Sequence, residues 1–271
     1  MPQKKTIDTH KQRIVEVKDI RIGGDNPLVL IAGPCVIEQD HTYRIAKKLT
    51  MITKKHKIPF IFKCSWDKAN RTGIDGYRGL GVNYAIDLFK KIKKEFNIPI
   101  LTDVHQPHEA KQFGEIVDIL QVPAFLSQQT DMLIAAGKYG KAVNIKKGQF
   151  LSPFNMKKVI GKVESTGNRN ILVTERGTCF GYDTLVVDMR SLVILRKFGY
   201  PIVFDATHSI RMENYPEYQK EFIIPLAKGA IAVGIDALFM EVHDKMDEAL
   251  CDAKWMLELD KLKKFLEEIK I

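Results

Sequence analysis

Short apolar runs alternate with longer amphipathic stretches along most of the chain. Eight of the apolar runs have the length of a β-strand, and they cover residues 28–32, 59–62, 98–102, 119–122, 142–145, 171–173, 201–204 and 237–240. In the stretches between and after them, hydrophobic residues recur every three or four positions, which is the period of an amphipathic helix. The predicted helices cover residues 40–56, 83–96, 108–115, 130–139, 155–165, 189–198, 221–233 and 257–269.

Eight strand–helix units in 271 residues predict an α/β protein with the fold of a (β/α)8 TIM barrel. An open doubly wound sheet is the alternative, but it usually has a glycine-rich phosphate loop after its first strand. Here Gly33, Pro34 and Cys35 follow that strand, and the chain has no G-x-G-x-x-G or P-loop pattern. Residues 14–25 alternate between apolar and polar and end in Gly-Gly-Asp, which predicts a short β-hairpin. We therefore expect one domain over residues 1–271, with a hairpin extension in 1–26 and the barrel in 27–271.

The composition is that of an ordinary globular protein, with 45% hydrophobic and 28% charged residues. The longest apolar runs are too short to span a membrane, and residues 1–12 lack the apolar core of a secretory signal. The four cysteines are scattered and form no CxxC pattern. These features predict a cytoplasmic protein without disulfides, in which Cys64, Cys179 and Cys251 are inert thiols.

The chain is basic, with a formal net charge of +9 and a pI near 9.2. Nucleic-acid binding is one explanation for such a charge. The lysines, however, are spread over many predicted helices and form no dense basic block. Electrostatic steering of small polyanions towards a cationic site is the other explanation, and it is the one we favour.

Cationic residues follow several of the predicted strands. In a TIM barrel the catalytic groups come from the C-terminal ends of the strands, and the stretch 61–71 (IFKCSWDKANR) changes from apolar to polar at such an end. The cations at strand ends are Lys63, Lys68, Arg71, Lys146 and Arg176. Converging cations repel one another unless an anionic ligand compensates their charge. The alternative is that each pairs with a local acid, as Lys68 would with Asp67.

A second set of strand-end residues has the chemistry of metal ligands. It contains one thiol, one imidazole and two carboxylates: Cys35, His208, Glu241 and Asp252. Together they suit one divalent transition metal ion, such as Zn²⁺, Fe²⁺ or Mn²⁺. Taken singly, Cys35 would more often be a small buried hydrophobe, and His208 an acid–base residue without a metal. His243 lies two residues from Glu241 and is a rival ligand, whereas we expect His105 to be structural.

Several motifs together resemble the 3-deoxy-D-manno-octulosonate 8-phosphate synthases. They are IAGPCVIE (31–38), FKCSWDKANRT (62–72), TDVHQPHEA (102–110), QVPAFL (121–126), NIKKGQFLSP (144–153), TERGTCFGYDTLVVDMRSL (174–192), FDATHS (204–209) and FMEVH with ALCDA (239–253). The sister family, 3-deoxy-D-arabino-heptulosonate 7-phosphate synthase, typically has Lys-Pro-Arg-Thr-Ser where this chain has Lys-Ala-Asn-Arg-Thr at 68–72. That difference favours the octulosonate enzyme.

The resemblance implies a reaction and a set of roles. Phosphoenolpyruvate would condense with arabinose 5-phosphate and water to give the eight-carbon acid sugar phosphate of lipopolysaccharide synthesis and inorganic phosphate. The residues implied to bind the two substrates are Lys63, Ser65, Lys68, Asn70, Arg71, Asp103, Gln121, Lys146 and Arg176, and those implied to be catalytic are Lys68, His208 and Asp252. A related synthase that uses another aldose phosphate, such as erythrose 4-phosphate, is the alternative.

The resemblance also implies a metal ion and an oligomer. The position of Cys35 is Asn in the metal-independent members, so Cys35 implies a metal-dependent enzyme with His208, Glu241 and Asp252 as the other ligands. A cytoplasmic homotetramer, with no nucleic acid or membrane as partner, is expected by the same resemblance. The chain departs from the family at Gln128, where an Arg that contacts the sugar phosphate is usual, and at residues 211–220, which lack the expected glycine-rich lid.

Overall fold

The computed structural model describes residues 12–71, 73–182, 184–212 and 218–269. In these ranges eight parallel strands close a barrel, which confirms the predicted (β/α)8 fold: β3 (Val29–Gly33), β4 (Phe60–Lys63), β5 (Ile100–Asp103), β6 (Ile119–Val122), β7 (Ala142–Lys146), β8 (Ile171–Glu175), β11 (Ile202–Asp205) and β12 (Ala237–His243). Each strand pairs with the next along the chain, and β12 pairs with both β11 and β3, so the barrel is closed.

Helices follow the barrel strands at the predicted places. They are α1 (Gln39–His56), α2 (Val82–Phe96), α3 (Pro107–Gly114), α4 (Thr130–Tyr139), α5 (Met156–Glu164), α6 (Arg190–Arg196), α7 (Gln219–Val233) and α8 (Leu259–Ile269). The ends of the predicted helices shift by up to two residues. The last one begins late because Leu257 and Glu258 form a short strand, β13 (Leu257–Glu258), beside β12.

The barrel strands bury both of their faces, in two separate hydrophobic cores. Residues such as Leu30 and Phe62 face outward and pack under the helices, whereas Ile31, Ile61 and Phe239 belong to the core inside the barrel. Successive strand side chains point to opposite faces, so the two cores alternate along each strand. A near-continuous apolar run, as predicted for each strand, is the consequence.

An N-terminal hairpin closes the bottom of the barrel. Strands β1 (Val15–Val17) and β2 (Ile20–Ile22) pair antiparallel, as predicted. Their buried side chains join the core inside the barrel, next to residues at the N-terminal ends of the strands. Residues 1–11 of the predicted extension lie outside the described residues.

A second, unpredicted hairpin lies at the opposite end of the barrel. Strands β9 (Thr178–Cys179) and β10 (Leu185–Val186) follow β8 and pair antiparallel. The N–H of Leu185 donates to the carbonyl of Arg211 at 2.8 Å, so this hairpin contacts the start of the predicted lid. Residues 213–217 of that lid lie outside the described residues. Among the described helices, none is both long and apolar enough to cross a membrane.

Candidate active site at the C-terminal end of the barrel

The inner face of the barrel changes from apolar to polar within two residues near the C-terminal end of the strands. On β5 Leu101 is followed by Asp103, and on β12 Phe239 is followed by Glu241. On β3 the corresponding position is Gly33, where an added Cβ would lie 1.8 Å from the carbonyl oxygen of Lys63. Only glycine allows β4 to approach so closely there. Buried ionisable groups therefore form a layer directly above the apolar core.

Two lysines of this layer form ion pairs across the barrel. Lys63 donates to the carboxylate of Glu241 and to the carbonyl of Cys35, the latter at 2.9 Å. Lys146 pairs with Asp205. The ammonium groups of Lys146 and Lys63 also lie 3.6 and 5.6 Å from the centre of the Phe239 ring. Both lysines are almost completely buried, so the pairing compensates charges that water does not reach.

The acids that pair with the cations come from distant parts of the chain. The alternative of local pairing is wrong for Lys68, because Asp67 pairs with Arg78 and Lys68 Nζ lies 3.8 Å from Glu241. Glu175 pairs with Lys147 at 3.5 Å rather than with its neighbour Arg176. The sequence therefore predicted which cations converge, but it did not predict which acids pair with them.

The pKa shifts in this layer follow from burial and from the nearby charges. Burial alone would raise the pKa of Asp103, but the attraction of Lys63 and then Lys68 outweighs it and lowers the pKa to about 2. For Glu241 the same balance, led by Lys63 and His208, holds the pKa well below its usual range. Burial lowers the pKa of Lys146, and Asp205 offsets only part of that effect. Asp103 and Glu241 are therefore ionised at neutral pH.

A chain of hydrogen bonds crosses five strand ends and fixes the orientation of Asp103. Ser65 donates to Asp103 Oδ2 at 2.9 Å, and Gln121 donates to Oδ1 at 2.6 Å. Asn144 donates to Gln121 at 2.8 Å, and Thr174 donates to Asn144 at 2.6 Å. Ser65 is fully buried, so it lies beneath Asp103 rather than at the surface of the mouth.

His208 presents one ring nitrogen to Glu241. Its Nδ1 lies 2.8 Å from Asp205 Oδ2, and its Nε2 lies 3.7 Å from Glu241 Oε2. An Nδ1–H donated to Asp205 leaves the lone pair of Nε2 on the side of Glu241. Glu241 Oε2 is buried and accepts no hydrogen bond from the described residues. Ligand atoms of His208, Glu241 and Asp252 all lie within 4.8 Å of one another.

Cys35 lies next to this group through Asp252, and Cys251, which was predicted to be an inert thiol, lies beside it. Cys35 Sγ lies 3.0 Å from Asp252 Oδ2. The structure joins Cys35 and Cys251 as a disulfide, with their Cα atoms 6.2 Å apart. The predictions of no disulfides and of an inert Cys251 are therefore wrong, because the segment before α8 places Cys251 against the loop after β3. Cys35, Cys251 and Asp252 also form a second group with metal-ligand spacing, which shares Asp252 with the first.

Arg71 connects the cationic residues to this group of ligand-type residues. Its Nη1 lies 3.4 Å from Asp252 Oδ1, and its Nε donates to the carbonyl of Tyr77 at 3.1 Å. Asn70 and Arg176 line the mouth with the lysines and with Gln121. Within the described residues Arg176 forms no ion pair shorter than 4.0 Å, although the charges of Asp205 and Glu175 act on it from farther away.

Two other histidines lie outside this group. The Nε2 of His243 lies 3.3 Å from Glu38, and this histidine is absent from the groups around Asp252. The nearest acid to His105 is Glu109 of α3, at 3.7 Å. The geometry therefore favours His208 over His243 as the imidazole of the candidate metal site.

Comparison with known proteins identifies the family. Residues 6–270 match the DAHP synthetase I family. The chain is 49% identical over 261 residues to a 2-dehydro-3-deoxyphosphooctonate aldolase of Geotalea uraniireducens, which covers 94% of this chain and 96% of that protein. It is also 49% identical over 264 residues to the protein of the same name from Rickettsia canadensis, and this alignment covers 96% of each chain. The chain belongs to the DAHP synthetase I family.

Within the DAHP synthetase I family the chain groups with the octulosonate enzymes. 2-Dehydro-3-deoxyphosphooctonate aldolase is another name for the octulosonate-phosphate synthase, so the resemblance inferred from the motifs is confirmed. A third relative with that name, from Syntrophotalea carbinolica, is 47% identical over 260 residues, or 94% of each chain.

Two residues that the structure places at the site, Asp205 and Cys251, were given no role there from the sequence. Cys251 could have been noticed because it is adjacent to Asp252, and Asp205 because it ends β11 three residues before His208. At the departure from the family pattern, the carbonyl of Gln128 accepts a hydrogen bond from Lys162 Nζ at 2.8 Å. A cation therefore lies next to the position where the family usually has Arg.

Proposed function

We propose that this chain condenses phosphoenolpyruvate with arabinose 5-phosphate and water, to give 3-deoxy-D-manno-octulosonate 8-phosphate and phosphate. The observation that carries the proposal is that the strand-end cations and the candidate metal ligands meet at Glu241. This carboxylate pairs with Lys63 on one side and faces His208 on the other. One mouth thus combines cations for two phosphorylated substrates with a ligand set for a metal ion. The names of the relatives support the same reaction.

Phosphoenolpyruvate would bind on the cationic side. Arg176, Lys146 and Gln121 would hold its phosphate, because all three line the mouth and a guanidinium forms two parallel hydrogen bonds with phosphate. Lys63 and Lys68 would lie near its carboxylate and reacting carbons. Lys68 has Glu241 as a partner only at 3.8 Å, so its ammonium can stabilise negative charge as it develops on the substrate.

Arabinose 5-phosphate would bind across Asn70, Arg71 and Asp103. Arg71 suits the phosphate. Asp103 is ionised, so its carboxylate would repel a phosphate and would instead accept hydrogen bonds from sugar hydroxyls. Ser65 and Gln121 hold that carboxylate in one orientation, which favours a single pose of the sugar.

The residues around Asp252 fit a divalent metal ion. The support is the buried, unpartnered Oε2 of Glu241 and the lone pair that His208 presents beside it. With the Cys35–Cys251 disulfide reduced, Cys35, His208, Glu241 and Asp252 would hold the ion. When bound, the ion would orient the aldehyde or lower the pKa of a water molecule. Asp205 keeps the proton of His208 on Nδ1, and Asp252 is placed to accept a proton from water.

Charge and positioning together account for much of the expected rate. Ordering two reactants in one site removes up to roughly 7–11 kcal/mol of the barrier in favourable systems. The buried cations add electrostatic stabilisation where phosphate leaves, and they need no reorientation during the reaction because the ion pairs already fix them.

A cytoplasmic homotetramer completes the proposal. Large aromatic side chains around the mouth are exposed, among them Phe125 (52%), Phe154 (66%) and Phe180 (71%). Exposed apolar side chains of this size are typical of contacts between subunits. Both proposed substrates are phosphorylated and do not cross membranes unaided, which supports a cytoplasmic location. Light scattering of the purified protein would test the tetramer.

The direct test is the loss of phosphoenolpyruvate absorbance after arabinose 5-phosphate is added, with and without EDTA treatment. We expect consumption that EDTA abolishes and that Mn²⁺ or Zn²⁺ restores. Consumption that survives documented removal of the metal would retain the reaction and overturn the ligand assignment.

An aldose other than arabinose 5-phosphate is the second candidate, and Gln128 is the observation that favours it. A neutral amide does not replace a guanidinium on phosphate. The same assay with erythrose 4-phosphate and ribose 5-phosphate would separate the candidates. Faster consumption with either sugar would overturn the choice of arabinose 5-phosphate.

A further inference from the structure

A second cluster of buried ionisable side chains lies beside the mouth, between the start of α1 and the end of β12. Its members are Glu38, His41, His243 and Asp244, and Lys48 contacts it from the surface. The rings of His41 and His243 stack with their centroids 3.9 Å apart. Glu38, His41 and His243 are each less than 10% exposed. The proposed reaction assigns no role to these side chains.

Hydrogen bonds to His243 argue against a metal ion in this cluster. Glu38, His41 and His243 have ligand atoms close enough together for one. However, His243 Nδ1 accepts the backbone N–H of Lys245 at 3.0 Å. The proton of the neutral ring must then be on Nε2, which faces Glu38 at 3.3 Å and has no lone pair for a metal.

His41 lies between two carboxylates. Its Nδ1 is 3.3 Å from Glu38 Oε2, and its Nε2 is 2.5 Å from Asp244 Oδ1. Burial alone would lower the pKa of His41, but the contacts with Glu38 and Asp244 outweigh it and raise the pKa. The ring of His41 therefore lies between two negative charges that would otherwise repel each other at short distance, and its protonated form is favoured there.

The other oxygen of Glu38 holds the segment that leads to the candidate metal ligands. Glu38 Oε1 accepts the backbone N–H of Leu250 at 3.1 Å. Leu250 immediately precedes Cys251 and Asp252. Asp252 has a left-handed backbone with φ of 52°, which is uncommon for a residue other than glycine and needs support from its surroundings. Glu38 thus links the loop after β3, which carries Cys35, to the segment that carries Cys251 and Asp252.

We infer that Glu38, His41 and Asp244 form a positioning cluster that sets the distance from Cys35 to Asp252 and so tunes the affinity for the metal. Glu38 forms the tether to Leu250, and His41 keeps Glu38 and Asp244 together. None of the three contacts the reacting atoms. The inference rests on the proposed metal site.

Two substitutions at Glu38 separate the tether from the charge. Glu38→Ala removes the acceptor for the Leu250 N–H, whereas Glu38→Gln keeps a carbonyl oxygen there. We expect Glu38→Ala to weaken metal binding by about 10–100-fold, the usual cost of losing a partner beyond the metal ligands, and Glu38→Gln to weaken it much less. His41→Ala should resemble Glu38→Ala because the two carboxylates then repel each other. Competition with a chromophoric chelator for Zn²⁺ gives the affinities.

Cys35 and Cys251 provide a second measurement that needs neither metal nor turnover. In the reduced, metal-stripped protein, diamide oxidises the two thiols to a disulfide and is itself reduced to the hydrazine. The rate of this reaction reports how often the two loops meet. Glu38→Ala should slow it several-fold, and Glu38→Gln should leave it near the wild-type rate. A structural role alone would not produce this split between two variants of one residue.

His56→Ala is the matched control, because His56 lies on the same helix and faces Glu267 at 3.8 Å, far along the chain from residues 244–252. It should change neither measurement. Equal metal affinity and equal disulfide rate in wild type and Glu38→Ala would overturn the inference, as would a similar loss in His56→Ala. If Glu38→Ala does not fold, Asp244→Asn replaces it, with the same expected direction. The wild-type protein could fail to consume phosphoenolpyruvate while Glu38→Ala and Glu38→Gln still differ in metal affinity and disulfide rate. That result would overturn the proposed function and leave this inference standing.

Discussion

The two ends of the barrel interior are built from the same strands in opposite ways. At the bottom, Val15 and Ile22 of the hairpin belong to the same buried apolar cluster as Ile31 and Ile61. At the top, only two residues farther along β4, Lys63 pairs with Glu241 in an equally buried position. The period of two along a strand explains how one inward face contributes both layers.

The difference separates an end that is suited to stabilising the fold from an end that is suited to binding ligands. Apolar burial stabilises the folded state by about 25 cal/mol per Å². Buried ion pairs gain little over a packed apolar residue, because the two charges lose their water. The top layer is therefore a weak contributor to stability and a strong source of electrostatic potential. Substitutions at the two ends should have separable effects on activity and stability.

The largest effect is expected from Cys35→Asn, at the top. An amide is a poor ligand for a soft divalent ion, so the variant should lose most of its bound metal and of its metal-dependent activity. Elemental analysis of the reduced protein measures this directly. Cys251→Ser is the control, and it should keep the metal because Cys35 remains. Stoichiometric metal in Cys35→Asn would refute the ligand assignment.

The next largest effect is expected when a cation of the same layer is removed. Lys146→Met should lower kcat/KM by about 10²–10³-fold, the usual loss when one preorganised charge-stabilising group is deleted. The fold should survive, because Asp205 keeps its hydrogen bonds with His208 and with two backbone N–H groups. Steady-state kinetics and thermal unfolding test both statements. A threefold or smaller loss in kcat/KM would exclude a role for Lys146 in phosphate binding.

The fold was predictable because its signals are local. Each strand is a continuous apolar run, and each helix repeats its apolar residues every three or four positions, so neighbouring residues alone determine the element. The convergence of Lys63 and Lys146 was predictable as well, because all strand ends of a parallel barrel meet at one face.

The pairing within the site was not predictable, because it depends on distances that no local pattern encodes. Cys35 and Cys251 are 216 residues apart in the sequence, and Lys63 and Glu241 are 178 apart. Glu38 is a single polar residue after the first strand, and nothing in the local sequence shows that its two oxygens contact His41 of α1, His243 of β12 and Leu250. Such contacts require the register of the closed barrel.

A substitution at the bottom of the barrel should lower stability and leave activity unchanged, which is the opposite of the result expected for Cys35→Asn and Lys146→Met. Ile22 is fully buried between the hairpin and the strands, so Ile22→Ala should lower the free energy of unfolding by about 2–5 kcal/mol. The kcat per folded molecule should stay within about twofold of wild type, because the site lies at the other end of the strands. Denaturant unfolding and active-site-normalised kinetics provide the two numbers. A large loss of kcat in the folded variant would show that the two ends are coupled.

The smallest effect concerns the positioning cluster and its dependence on pH. The histidine contacts of Glu38, opposed by burial, lower its pKa from 4.5 to about 2, and the contacts of Asp244 with Lys48 and His41 lower its pKa from 3.8 to about 2. Depressed carboxylate pKa values stabilise the fold above about pH 4.5, and this contribution is lost as the pH falls towards 2. The raised pKa of His41 acts in the opposite sense. The stabilisation that His41 contributes is complete below pH 6.5, and it is lost as the pH rises through the pKa of His41 in the folded state.

The cluster should therefore stabilise the protein most between about pH 4.5 and 6.5. Glu38→Gln removes the charge at its centre, so the difference in unfolding free energy between wild type and Glu38→Gln should be largest in that window. It should shrink on both sides. Urea unfolding of both reduced, metal-stripped proteins across pH measures this difference. The other charged or titratable side chains that face this cluster are His243, whose Nε2 lies 3.3 Å from Glu38, and Lys48, which pairs with Asp244. A difference that stays constant from pH 3 to 9 would mean that the ionisation of Glu38 and His41 does not support the segment leading to Asp252.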